Sequence, residues 1–156
     1  MRLYADADAL MAGSSCTCTE AADAAGAYCC HFSNIGREPY VTEVEVALVA
    51  RAVAERGGFP ATAKRDPRRR LPLADDLGTC PLLSREGRCT IYASRPLGCR
   101  TFFCEGHGPP MRGNTRKRLL EIARRVADLS DRVSPRAGGP RTLRRALASR
   151  VGHTPR

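Results

Sequence analysis

Eight cysteines fall in two groups of four: Cys16, Cys18, Cys29 and Cys30, then Cys80, Cys89, Cys99 and Cys104. No other feature of this chain restricts its fold so tightly. A thiolate is a soft, anionic donor that suits zinc or iron, and four of them from two chain segments commonly close a tetrahedral site. Disulfides are the competing reading, because an even count in a small protein invites it. The amino terminus weighs against them: Asp6 and Asp8 stand where a secretory leader needs an uninterrupted apolar run, and no stretch is long enough to span a bilayer. The expected location is therefore the reducing cytoplasm, where clustered cysteines are more often ligands than cystines.

A metal would also make good a shortage of core. Aromatic residues are 5% of the 156, Trp is absent, and Gly (14) and Pro (11) are frequent. Ligands that tie loops together compensate for missing apolar area. The fold class expected is mainly α with irregular loops: a small metal-stabilised domain over 1–110 and a basic helical extension over 111–156, packed on it or trailing from it.

Regular structure is clearest around Thr42-Glu43-Val44-Glu45, a capping box followed by Val44, Ala47, Leu48, Arg51 and Ala52 at helical spacing and stopped by Gly57-Gly58. This predicts a helix over about 42–56. Residues 5–12 have the composition for a turn or two of helix, and 59–72, with three prolines and the run Lys64 to Arg70, for an exposed basic loop. Residues 80–104 are interrupted by Pro81, Gly87, Pro96 and Gly98, with Cys89 to Tyr92 a short strand or the start of a helical turn. Asn114 can cap a helix whose stripe is Leu119, Ile122, Val126, Leu129 and Val133. Residues 135–140 read as a linker before a last amphipathic helix with Leu143, Ala146, Leu147 and Val151.

The cysteine spacings are C-x-C-x10-C-C and C-x8-C-x9-C-x4-C, neither of them the paired C-x2-C knuckle of a zinc ribbon. Side chains of adjacent residues diverge, so Cys29 and Cys30 either serve two sites or divide ligation and packing between them. The run Cys80-Pro81-Leu82, Cys89-Thr90-Ile91-Tyr92, Arg95-Pro96-Leu97-Gly98-Cys99-Arg100, Phe102 and Cys104 closely resembles the YkgJ-like cysteine-cluster family, in which a double-cysteine element precedes a block of this pattern. The resemblance is specific over 80–104 and extends more weakly back to residue 16. It implies chelation of zinc or iron without a defined reaction. The family's first element is more compact than the ten-residue gap between Cys18 and Cys29, so Cys30, Cys80, Cys89, Cys99 and Cys104 have a stronger claim as ligands than Cys16 and Cys18.

Around the thiols, Arg95 and Arg100 could offset anionic sulfur or pair with carboxylates. Tyr92 and Phe102 are expected to shield the cluster. Pro96 and Gly98 are expected to turn the chain so that Cys99 is aimed, Gly98 through its permissive backbone. His31 and His107 are potential imidazole ligands, though a histidine beside a cysteine cluster is more often a donor to the ligands or a surface group.

Two readings follow. The first is a cytoplasmic protein with an iron-sulfur cluster or iron, in electron transfer or oxidative modification, favoured because Cys29-Cys30 suits a multinuclear centre. The second is structural zinc, with basic C-terminal helices that bind an acidic protein partner or, less readily, nucleic acid. Charge supports the basic half: residues 1–59 hold 4 Arg/Lys against 8 Asp/Glu, net −4, and residues 60–156 hold 22 against 8, net +14. Aromatic interleaving for base stacking is sparse. No Ser/His/Asp order, P-loop or paired-carboxylate signature marks an enzyme, and no membrane partner is expected.

Overall fold

The computed structural model describes residues 2–12, 28–60, 78–101 and 113–151. It is mainly α-helical: α1 (Arg2–Leu10), α2 (Phe32–Ile35), α3 (Glu43–Glu55), α4 (Leu97–Arg100), α5 (Gly113–Val133) and α6 (Leu143–Val151), with 3-10 turns at Tyr28–Cys30 and Tyr92–Ser94. Strands β1 (Tyr40–Val41) and β2 (Arg141–Thr142) pair antiparallel, Tyr40 opposite Thr142. No helix of the described residues is long and apolar enough to cross a membrane.

α3 divides the apolar interior in two. On one side Val46, Val49 and Val53 pack with Phe32, Val41, Cys80, Leu82, Ile91, Leu143, Ala146 and Leu147. On the other, Leu48 borders a second core of Tyr4, Ala7, Leu97, Leu119, Ile122 and Val126, where α1 and α5 meet. The helix begins as expected, with Thr42 as N-cap and Glu45 completing the capping box. α6 also follows its expectation, and its entry is tied to the first half of the chain: buried Glu38 accepts hydrogen bonds from the Arg144 amide and Nε, and Arg141 pairs with Glu43 at 2.6 Å.

Three details depart from the sequence reading. α1 starts at Arg2 rather than residue 5, because Tyr4 and Ala7 bury against α5 and extend the apolar face backwards. α5 buries Leu119, Ile122, Val126 and Ser130, whereas Leu129 and Val133 are 38% and 61% exposed. Ser130 takes the inner position and its hydroxyl accepts the Val44 amide at 3.4 Å, one of the donors that the first turn of α3 leaves unpaired. Finally, the linker before α6 leads into β2, a two-residue strand too short to carry a period of its own.

Candidate metal centre

Five of the eight cysteines lie in the described residues: Cys80 belongs to the first core, Cys30, Cys89 and Cys99 pack against it, and Cys29 adjoins Cys30. The 3-10 turn Tyr28–Cys30 presents Cys29 and Cys30. Backbone pairing then sets Cys80 beside them: the Phe32 amide donates to the Gly78 carbonyl at 3.1 Å and the Cys80 amide to the Cys30 carbonyl at 2.7 Å, flanking a His31–Thr79 bridge. A tight loop through Gly87, at φ 70°, returns the chain so that Cys89 bridges Leu83. The Thr90 amide and hydroxyl both donate to the Leu82 carbonyl, at 2.9 and 2.7 Å, and fix that return. Cys99 rides on α4, which Pro96 opens; the Cys99 and Arg100 amides donate to the Pro96 carbonyl.

The thiols sense one another. The hydrogen bond with Cys29 pulls Cys30 toward ionisation, but the hydrogen bond to Cys80, burial, and the charges of Cys80 and Cys89 outweigh it and push the group well above the ordinary thiol range. Burial is the main cause of an upward shift at Cys99, reinforced by Cys30, Cys89 and Cys29 and opposed by Arg95. Burial also raises Cys89, against the Ile91 amide, Arg95 and Arg56. Adjacent Cys29 and Cys30 therefore both act on the same cluster, despite their tendency to diverge. Among the described residues no three His, Cys, Asp or Glu side chains already stand in a geometry that holds a metal ion. The donor set nevertheless fits one chemically: soft sulfur atoms, one buried and four half-buried, repel one another as thiolates and are stabilised in that form by a cation. Cys30, Cys80, Cys89 and Cys99, with Cys29 adjoining, are the described residues that would hold zinc or iron, and the metal would supply positive charge at the focus of the thiols. Cys16, Cys18, Cys104, Phe102 and His107 lie outside the described residues.

The surrounding residues divide differently from the sequence reading. Arg95 serves the sulfur side: its charge acts on Cys89 and Cys99, its guanidinium stacks 3.6 Å from the Tyr92 ring centroid, and Nε donates to the Tyr92 carbonyl. Arg100 instead pairs with a carboxylate, Asp8, at 2.6 Å, while donating to the Arg95 and Ala93 carbonyls. Tyr92 is 40% exposed and carries Arg95, so the shielding falls to Phe32, Leu82 and Ile91. Gly98 has helical backbone and needs no unusual φ; a Cβ there would meet the Pro39 Cβ at 3.1 Å and the Tyr40 carbonyl oxygen at 3.4 Å. It permits close approach of α4 to β1. His31 Nδ1 lies 3.4 Å from the Thr79 hydroxyl.

Glu45 has a role that the capping box did not reveal. Its buried carboxylate accepts from the Thr42 amide and hydroxyl, and also from the Tyr4 hydroxyl at 3.0 Å and the Leu97 amide at 2.7 Å. The first amide of the cysteine-bearing α4 is thus held by α3. Nothing in the local sequence marks that second use, since the partner is 52 residues away. On the other side of α4, a cleft of about 420 Å³ is lined by Leu97, Gly98, Leu119, Leu120 and Arg116 among others, and none of its lining residues is a cysteine.

One protein-family comparison matches: the family CxxCxxCC, described as "Putative zinc- or iron-chelating domain", over residues 17–119. No curated protein and no solved structure matches. The match supports metal binding of a general kind and spans all the described cysteines.

Proposed function

This chain belongs to the CxxCxxCC family of zinc- or iron-chelating domains, and from that premise we propose that it is a cytoplasmic metal protein whose cysteine cluster holds iron, as an iron-sulfur centre or in another form, for electron transfer or an oxidative modification. The observation that carries the reading is the mutual influence of five thiols, Cys30 responding to Cys29, Cys80 and Cys89, and Cys99 to Cys30, Cys89 and Cys29, a set one larger than a single tetrahedral ion takes. Adjacent Cys29 and Cys30 acting together suit a centre with more than one metal atom. Arg95 beside Cys89 and Cys99 supplies the positive charge that tunes such a centre. Anaerobic purification followed by iron, acid-labile sulfide and zinc analysis tests this directly. Brown protein with broad visible absorption that bleaches on reduction is expected; a colourless, iron-free preparation overturns it.

Structural zinc is the second reading, and it brings a binding role. Exposed Arg116, Lys117, Arg118, Arg124, Arg125 and Arg132 on α5 support it, whereas Arg141 and Arg144 pair with Glu43 and Glu38. Glu121, Asp128 and Asp131 are interspersed among the α5 cations, which suits an acidic protein better than a phosphate backbone. Near two equivalents of zinc with unfolding on chelation is its signature. Filter binding of duplex DNA at rising salt separates the partners, since a shallow or absent slope excludes phosphate contacts.

A further inference from the structure

The N-terminal helix lies outside the stretch that the family comparison matches, which begins at residue 17. It is nonetheless joined to the cysteine-bearing helix by polar contacts as well as by apolar packing. The Asp8 carboxylate pairs with Arg100, whose side chain is only 7% exposed. The Arg100 guanidinium also stands 4.6 Å from the Tyr4 ring centroid and donates to the Ala93 and Arg95 carbonyls, in the segment that delivers Arg95 to the thiols. Tyr4 in turn donates to Glu45, whose same oxygen accepts the Leu97 amide. Each end of α4 is therefore gripped by a contact that reaches α1: Leu97 through Glu45 and Tyr4, Arg100 through Asp8.

We infer that α1 is a positioning element of the metal site, with Asp8 and Tyr4 as positioning residues that fix α4 and so the place of Cys99. The inference rests on the metal reading above. A bare apolar dock would need only Tyr4, Ala7 and Leu97 in the second core, and would not use a nearly buried guanidinium. Arg100 without Asp8 is a nearly buried cation lacking its carboxylate, so it turns to water and releases the Ala93 and Arg95 carbonyls. α4 then loses its hold at the end next to Cys99.

Cobalt(II) is the probe, because thiolate-to-cobalt and d–d absorption report ligand geometry. The full-length wild-type chain and the variants Asp8→Asn, Tyr4→Phe and Asp8→Glu are loaded anaerobically, their spectra recorded, and cobalt release to a chromogenic chelator timed. Arg141→Gln, which breaks a pair between β2 and α3 and leaves the hydrogen bonds of α4 to Glu45 and Asp8 in place, is the control for general loss of stability. Asp8→Asn and Tyr4→Phe should shift the cobalt bands and release the ion about tenfold faster, the change that loss of one charge-assisted hydrogen bond brings. Asp8→Glu should restore the wild-type rate, and Arg141→Gln should leave the spectrum unmoved. Wild-type rates and spectra in both α1 variants overturn the inference and leave the metal reading standing, as does an equal effect of Arg141→Gln. Failure of the wild-type chain to take up cobalt overturns both.

Discussion

A thiol removed from water and set beside other thiols resists ionisation, and Cys30, Cys89 and Cys99 are all held above the ordinary thiol range. Ligation requires thiolates, so an incoming ion must displace the protons that these groups retain at neutral pH. The sign is unambiguous: binding releases protons, and affinity rises as pH rises toward the thiol range. Calorimetric titration with zinc at pH 7 should accordingly give an apparent enthalpy that changes with the ionisation enthalpy of the buffer, corresponding to several protons per ion. An enthalpy independent of buffer would show that thiols are not the ligands. The same reasoning makes Cys30 and Cys99 the residues on which metal content turns. Cys30→Ser and Cys99→Ser should each lower the metal-to-protein ratio measured by elemental analysis, and full metal in both would remove these two from the ligand set.

Elements place those residues, and α4 shows how little room they have. Its Gly98 faces a proline ring and a backbone carbonyl, neither of which can swing aside as a long side chain can. Alanine is the better helix former by up to about 1 kcal/mol, yet crowding of this kind typically costs 1–3 kcal/mol. Gly98→Ala should therefore lower unfolding stability by about 1 kcal/mol in urea denaturation; a stabilised variant would show that Pro39 gives way. This helix also shows where the sequence is legible and where it is not. α3, α5 and α6 announce themselves because a capping box and a 3.6-residue stripe are local signals. Four-residue α4 has no period, and what holds it comes from Glu45 and Asp8, 52 and 92 residues away. Cysteine chemistry alone points to metal ligation but leaves one site or two open, and only the family resemblance joins Cys29 and Cys30 to the block of Cys80, Cys89 and Cys99. The division of labour between Arg95 and Arg100 could not be read from the sequence, because two arginines five residues apart look alike until their acceptors are known.

At the scale of the whole molecule, α3 joins two cores of unequal character. The α1–α5 side is a packing of helices around Tyr4, Leu97, Leu119, Ile122 and Val126, whereas the other side gathers Phe32, Leu82, Ile91 and α6 around α3 and borders the thiol cluster. Cys29, Cys30, Cys80 and Cys89 on that side sit on a 3-10 turn and irregular backbone rather than on long helices, so the second of these has the greater need of ligation. Metal bound to the folded chain and not to the unfolded one adds stability by mass action, about 4 kcal/mol when the free ion is a thousandfold above its Kd. For a chain of this length that is a rise in Tm of about 10 °C. Differential scanning calorimetry across a zinc or iron(II) series, under reductant and without oxygen, should show Tm climbing with the logarithm of the free ion once it exceeds Kd. A strong chelator should return it to the metal-free value. Because the thiols border only one core, loss of metal should also loosen the two sides unequally: hydrogen exchange at Cys80, Leu82 and Ile91 should accelerate more than at Leu119, Ile122 and Val126. Equal acceleration would mean that α3 welds both cores into one cooperative unit, and a Tm indifferent to metal would mean that the thiols contribute to packing alone.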